Sequence, residues 1–356
     1  MTNRRAMRSV LCMVLVFVCS GVWAQRTATR PAGAMPGRWV RTNPGGGGWF
    51  ERIAPGPGGA VIACSDLSGV YRSLDGGWSW DCAGPARGLT ATHAACAAFD
   101  PADPAVVHVG TDEGIFRSTD GGRTYAQTLG DGYVESIAPA ADGQTVYAAV
   151  HTAWNAAEAH VYVSTDRGET WSRADTGFPP GRRILKLLVS PTDASAVFAL
   201  TGEGRFAGGP AEIHASTDGG VTWHRVSDTL AGPVADIAFD PAAPGVLYAT
   251  ADDPDPDLPG FVYRSDDGGA SWVLLGNHGG ALWLRAAAPG VVRVFDPRWQ
   301  FPWDDRRGVW ETADGGQSWS RAADIGSWDT GWSTVYYVLT SSVHSVAVGG
   351  AGRLWW

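Results

Sequence analysis

One string recurs six times along this chain: Ser-x-Asp-x-Gly-x-Ser/Thr-aromatic. It occupies Ser73–Trp80, Ser118–Tyr125, Ser164–Trp171, Ser216–Trp223, Ser265–Trp272 and, with threonine in the first place, Thr312–Trp319. Its aspartates, Asp75, Asp120, Asp166, Asp218, Asp267 and Asp314, are spaced 45, 46, 52, 49 and 47 residues apart. A supersecondary unit repeated at a period near fifty restricts the chain to an array, a solenoid or a propeller.

The second unit shows what each repeat contains: "AACAAFD", a "PADP" turn, "AVVHVGT", "DEG", "IFRS", "TDGGRT" and "YAQTL". Four short alternating segments with no helical period predict an all-β fold, a β-propeller of four-stranded antiparallel blades. The Asp string then joins the third strand to the fourth. Glycine supplies positive φ, the aspartate accepts backbone N–H groups, and the trailing aromatic packs between turn and sheet. Six equivalent turns on six blades cannot share one active site, so these aspartates are read as structural.

Blades are expected to start near Trp49, His93, Tyr133, Ile184, Val234 and Ala281. After Trp319, "STVYYVLT", "HSVAVGG" and "RLWW" offer three more strands, and "GRWVRTN", Gly37–Asn43, a fourth. Closing the ring with that N-terminal strand gives seven blades and hides both sheet edges. A six-bladed ring with an appendage is the alternative.

Arg4, Arg5 and Arg8, the apolar run Val10–Val18 and Val22-Trp23-Ala24 have the form of a secretory signal peptide. The expected organisation is a signal over 1–24, a linker over 25–36 and one propeller domain over 37–356, secreted or periplasmic, with no membrane span. Removing the signal leaves 24 basic against 36 acidic residues, a net charge of −12, which argues against nucleic acid as a partner. Lys186 is the sole lysine and carries no functional weight in this reading. Cys64, Cys82 and Cys96 remain after cleavage. If a bridge forms, Cys82 with Cys96 is favoured; three small buried hydrophobes is the other reading. No cysteine spacing suits zinc, and neither metal nor cofactor is expected.

Strand alternation places the connections between strands two and three on the face opposite the Asp turns. They are short in the first two units ("DLSG", "DEG") and long in the next four ("HTAWNAAEAH", "TGEGRFAGGPAEIH", "ADDPDPDLPGF", "FDPRWQFPWDDRRGVW"). One low side and one high side make a groove. Its walls carry Trp154, Trp283, Trp299, Trp303, Trp310, Trp328 and Trp332, with Glu203, Asp252, Asp304, Asp305 and Asp329. Tryptophan faces stack on sugar rings while carboxylates and arginine take hydroxyls, so a polysaccharide or glycan is the expected ligand. Trp283 and Trp310 fall in expected strands and read as core, which leaves Trp299, Trp303 and Trp328, with Arg306, as the substrate-binding candidates. Asp252–Asp257 reads as a solvated acidic loop.

The repeated string resembles the Asp-box, or bacterial neuraminidase repeat, superfamily of propellers, over about residues 37–356. That superfamily includes sialidases, xyloglucan-hydrolysing endoglucanases, sortilin-type receptors and photosystem II assembly propellers. The first unit, with "GGGGWFERIAP" and then Ser65-Asp66-Leu67-Ser68-Gly69-Val70-Tyr71-Arg72, is most similar to the xyloglucanase-type glycoside hydrolases. The resemblance implies Asp66 as a catalytic carboxylate of an inverting hydrolase and Tyr71 as a substrate contact. In that family the second aspartate comes from a second propeller, for which this chain has no room. Asp304, Asp305 or Glu203 would have to replace it, or another subunit would supply it, or the activity is absent. A sialidase is a more distant reading, since Phe50-Glu51-Arg52-Ile53-Ala54-Pro55 interrupts that family's Phe-Arg-Ile-Pro string with two extra residues. A non-catalytic propeller that binds a glycan or a protein stands beside the hydrolase.

Overall fold

The computed structural model describes residues 50–176, 178–202, 211–240, 243–253, 260–277, 283–288, 291–296, 308–323, 347–349 and 353–355. They form six four-stranded antiparallel sheets and one two-stranded sheet. Sheet one shows the pattern: Phe50–Pro55, Val61–Ser65, Gly69–Ser73 and Asp81–Ala83 pair in chain order. Sheets two to six begin at Ala94, Tyr133, Arg183, Val234 and Trp283, each within two residues of the expected start. The ring-closing segment Gly37–Asn43 lies outside the described residues. The two-stranded sheet pairs Ala347–Gly349 with Arg353–Trp355, and its first strand approaches both Phe50–Pro55 and Trp283–Ala288.

Burial explains why the sheets cannot stand alone. The second strands Val61–Ser65, Val107–Thr111, Val146–His151 and Val197–Gly202 are buried at every position, whereas the fourth strands Ser172–Arg173 and His224–Arg225 are exposed throughout. A strand covered on both faces needs a neighbouring sheet on each side. Ile62, Cys64, Val107 and Phe116 fill the seam between sheets one and two, and Ile115, Val134, Val146 and Val150 the next. First strands of successive sheets meet at the axis, as Phe50–Pro55 does with Ala94–Phe99 and Ala94–Phe99 with Tyr133–Pro139. This radial packing of sheets is a β-propeller.

The Ser-x-Asp turns have the expected place and a fixed hydrogen-bond scheme. In the second, the Ser118 hydroxyl donates to Asp120 Oδ1 (2.8 Å) and accepts from Gly122 N (2.9 Å), while Asp120 Oδ1 accepts from Arg123 N and Thr124 N, both at 2.9 Å. In the third turn the Thr170 hydroxyl and N–H, followed by the Ser164 hydroxyl, hold the Asp166 carboxyl down at about 2. The second glycine is constrained twice. Gly168 has φ 78°, and a Cβ there would lie 2.5 Å from His108 Cε1 of the preceding sheet. The first glycine position is occupied once by another residue, Arg167 at φ 61°. Its guanidinium offsets that strain by donating to Gly143 O (2.7 Å) and lying near Asp100 and Asp103.

The inner strands share a feature absent from the sequence reading. Each of the first five carries one extra residue near its start: Glu51, Ala95, Glu135, Leu185 and Ala235. Such a bulge twists a strand and re-aims the side chains around it. Glu135 reaches Arg52 of sheet one (3.4 Å) and Arg183 of sheet four (3.0 Å), so its carboxylate crosses the axis. Glu135 and Arg183 are 3% and 1% exposed, respectively, so this pair is desolvated. Lys186 Nζ donates to Asp236 Oδ1 and to Ile237 O, both at 2.6 Å, and Leu187 N donates to Ser136 Oγ (3.0 Å). These bonds join sheets three, four and five at their inner edges.

Two predictions follow from the packing. Removing one partner of a buried ion pair leaves the other charge uncompensated, which typically costs about 3–5 kcal/mol. Glu135→Ala is expected to lower the unfolding free energy by about that much in urea titration, with part regained in Glu135→Leu/Arg183→Met. The second concerns His108, fully buried, with neither ring nitrogen hydrogen-bonded among the described residues. Burial first, and the Arg117 cation second, push its pKa from 6.5 down to about 4. The unfolded chain therefore binds a proton between pH 6.5 and 4 that the native protein does not, and stability falls as pH falls through that window. The expected loss is up to about 3 kcal/mol more in the native protein than in His108→Ile, a change that copies Ile62, read by denaturant unfolding at pH 7 and pH 4.

Candidate functional site

The two faces of the disc differ. On one lie the Ser-x-Asp turns and the turns joining first to second strands. Between sheets three and four these leave a depression of about 230 Å³, lined by Ala141, Asp142 and the run Ser190–Ala194. Asp142 and Asp193 there spend their carboxylates on their own turns, through Thr145 and Ser195. Nothing in that lining converges on a ligand.

The other face gathers the connections between second and third strands. They span three residues in sheet one and two in sheet two, then seven, nine, nine and eleven in sheets three to six. The asymmetry expected from the sequence is thus built on one face, with its low side over sheets one and two. The described part of the high side carries Trp154, 46% exposed, between His151 and Ala159. Trp283 and Trp310 fall within strands, as expected. Glu203, Asp304, Asp305, Trp299, Trp303, Trp328 and Arg306 lie outside the described residues.

Asp66 sits in the low side, in the turn Asp66–Ser68 between Val61–Ser65 and Gly69–Ser73. The turn is held from below and from the side. Ser65 Oγ and Ser68 Oγ are 2.9 Å apart, and Leu67 N donates to Ser65 Oγ (3.3 Å). Gly69 N donates to Thr92 O (2.8 Å) on the connection into sheet two. Asp66 is partly exposed, and Leu67 beside it is 66% exposed. Tyr71, expected to contact substrate, is only 5% exposed; its ring meets Phe50 edge-on and its hydroxyl donates to Ser68 Oγ (3.0 Å). It is a buried support for the Asp66 turn.

Sequence reasoning missed the groups around this turn. Phe50 pairs with Ser65, which sets Glu51, the bulge residue of the innermost strand, beside the end of the strand that leads into Asp66. Glu51 Oε1 is 3.7 Å from His93 Nε2, and both side chains are largely buried. The His93 ring packs edge-on against Tyr133, the first residue of the inner strand of sheet three, at 5.5 Å. Below them runs the Arg52–Glu135–Arg183 network. The available signal was a charged residue early in an otherwise apolar inner strand, as in "FERIAP", "YVESIAP" and "RRILKLLV".

Cys82 and Cys96 are not bridged. Cys96 is buried with its sulfur 3.5 Å from Val134 O, toward sheet three, while Cys82 is exposed on the outer strand with its sulfur 3.6 Å from Ser68 O. Burial pushes the Cys64 thiol well up, which marks it as a core side chain. Asp75, Asp120, Asp166, Asp218, Asp267 and Asp314 all lie in the turns of the opposite face. Among the described residues no three His, Cys, Asp or Glu side chains converge as metal ligands, and no helix is long and apolar enough to cross a membrane.

Comparison with known proteins agrees with this architecture. Residues 113–233 match the family described as sortilin, neurotensin receptor 3. A xyloglucanase of Paenibacillus sp is 31% identical over 173 residues, which is 45% of this chain and 16% of that protein. The chain thus matches less than a fifth of that relative's length. Among solved structures, an ancestral GH74 enzyme superposes with a TM-score of 0.60 at 23% identity, covering 83% of this chain and 41% of that one. YCF48 bound to D1 peptide gives 0.55 at 17% identity, covering 77% and 80%. The chain is a β-propeller related to those of the xyloglucanases.

Proposed function

We propose that this protein is an exported, xyloglucanase-like Asp-box propeller that acts on polysaccharide at the face around Asp66. The observation that carries the reading is the Asp66 turn itself. It presents a carboxylate on the low side of an asymmetric face and is braced by Ser65, Ser68 and Tyr71. The Paenibacillus relative supports the polysaccharide class, and the leader-like residues 1–24 support export. Seven blades are supported by the approach of Ala347–Gly349 to both Phe50–Pro55 and Trp283–Ala288. A second reading, a non-catalytic propeller for protein binding, is favoured by the likeness to YCF48 bound to D1 peptide.

The test is reducing-end release by the purified chain on a panel of polysaccharides including xyloglucan, with Asp66→Asn alongside. Release that falls by about 10²-fold or more in Asp66→Asn, with an unchanged melting temperature, is the expected result. No release from any polysaccharide by the folded native protein would overturn the hydrolase and leave binding of glycan or peptide to be measured by calorimetry.

A further inference from the structure

We propose that His151 is an acid-operated latch: the connection over residues 152–158, which carries Trp154 on the open face, is seated on a neutral His151 and is released when that imidazole takes a proton from solvent. The inference does not depend on whether this face cleaves or only binds. His151 ends the second strand of sheet three and is fully buried. Every residue of the connection is exposed except Ala156, which is half-buried. At the Ala156 carbonyl two core side chains meet the connection. Arg183 Nη1 donates to Ala156 O (2.7 Å), and His151 Nδ1 lies 3.4 Å from the same oxygen. The other ring nitrogen, His151 Nε2, lies 3.1 Å from Ile184 O on the inner strand of sheet four.

Both ring nitrogens therefore face carbonyl oxygens, which only accept. A neutral imidazole has one N–H and serves one of them, and the shorter contact assigns that bond to Nε2 and Ile184 O. Nδ1 then turns its lone pair to Ala156 O, which Arg183 holds. An imidazolium would donate to both carbonyls, and these bonds, with the Glu135 carboxylate, favour the charge. Against it stand complete burial and the Arg183 guanidinium on the same carbonyl. Burial first, and Arg183 second, prevail and hold the His151 ring below its usual 6.5.

The charged groups facing His151 are Arg183 from sheet four and Glu135 from the inner strand of its own sheet. Ala159, opposite it on the third strand, brings none, and Tyr133, opposite it on the first, packs its ring against His93. Glu158 of the connection lies 3.7 Å from His160 Nε2, and Asp131, on the connection into sheet three, accepts from the Tyr162 hydroxyl (2.8 Å). Where residues 152–158 lift away, water reaches the His151 ring and its pKa returns toward 6.5. The open form thus binds a proton that the closed form excludes, and acid favours opening. The contribution of His151 to closure is complete above pH 6.5 and declines as pH falls below it. The closed-to-open ratio changes by at most about tenfold per pH unit, the limit for one proton.

The experiment is amide hydrogen exchange, read by mass spectrometry on peptides of the full chain between about pH 7.5 and 5 and divided at each pH by the intrinsic exchange rate. The pairing of His151 with Ala159, and the bonds from Thr152 N to Glu158 O and from Ala156 N to Ala153 O, supply the protection to be followed. In the native chain the protection of residues 150–160 is expected to fall by about threefold to tenfold per pH unit below 6.5, whereas in His151→Gln it is expected to be independent of pH. If His151→Gln does not fold, His151→Leu carries the same comparison. Native protection that stays constant or rises in acid overturns the latch. A fall of equal size in His151→Gln or His151→Leu belongs to the fold as a whole, the buried His108 included, and overturns His151 as the sensor.

Discussion

The seam between neighbouring sheets is the constraint on which the rest of this structure depends. Because Val61–Ser65 and its counterparts are buried on both faces, each sheet is incomplete until the next one covers it. The Ser-x-Asp turn belongs to that seam as much as to its own hairpin. A side chain at the second glycine would press on the preceding sheet, on His108 at Gly168 and on Ile62 at Gly122. Arginines add a polar clasp at the same height, Arg72 Nε donating to Gly121 O (2.6 Å) and Arg117 Nε to Arg167 O (2.8 Å). The turn motif therefore repeats because the seam repeats, and its aspartate serves geometry.

Local patterns were legible and long-range pairings were not. The four-strand unit, the turn aspartates and the unequal connections could all be read from the sequence, because each is encoded within one repeat of about fifty residues. The partner of Glu135 could not. Arg183 lies 48 residues away and Arg52 lies 83 residues away, in different sheets, and only the axis brings them together. The cysteines failed for a related reason. Cys82 and Cys96 are close in sequence, yet one sits on an outer, exposed strand and the other on an inner strand facing sheet three. In a propeller, closeness along the chain runs from rim to axis, so it is a poor guide to contact. Tyr71 shows the same limit at the scale of one strand, where period-two alternation decided its burial over the motif it belongs to.

The rigidity of the inner ring has consequences for the open face. Arg52 pairs with Glu135 of sheet three, Glu51 lies beside His93 and the Asp66 turn is bonded through Gly69 N to Thr92 O, so this end of sheet one is held by its neighbours and not by its loops alone. Sites on regular elements keep their geometry better than sites on loops, and a braced turn at a strand end is close to that limit. The long connections of sheets three to six are then free to differ in length and composition without disturbing the low side.

The inner strands carry the polar contacts that tie one sheet to another near the axis. In the first five, a bulge near the start frees one residue per sheet from the alternation that otherwise commits side chains to the seams. In sheet three that residue became a structural glutamate, bound on both sides by arginine. In sheet one it is a glutamate whose carboxylate lies 3.7 Å from His93 Nε2, on the connection into sheet two. The same backbone device thus ties sheet three to sheets one and four, and sheet one to the connection into sheet two, at their inner ends.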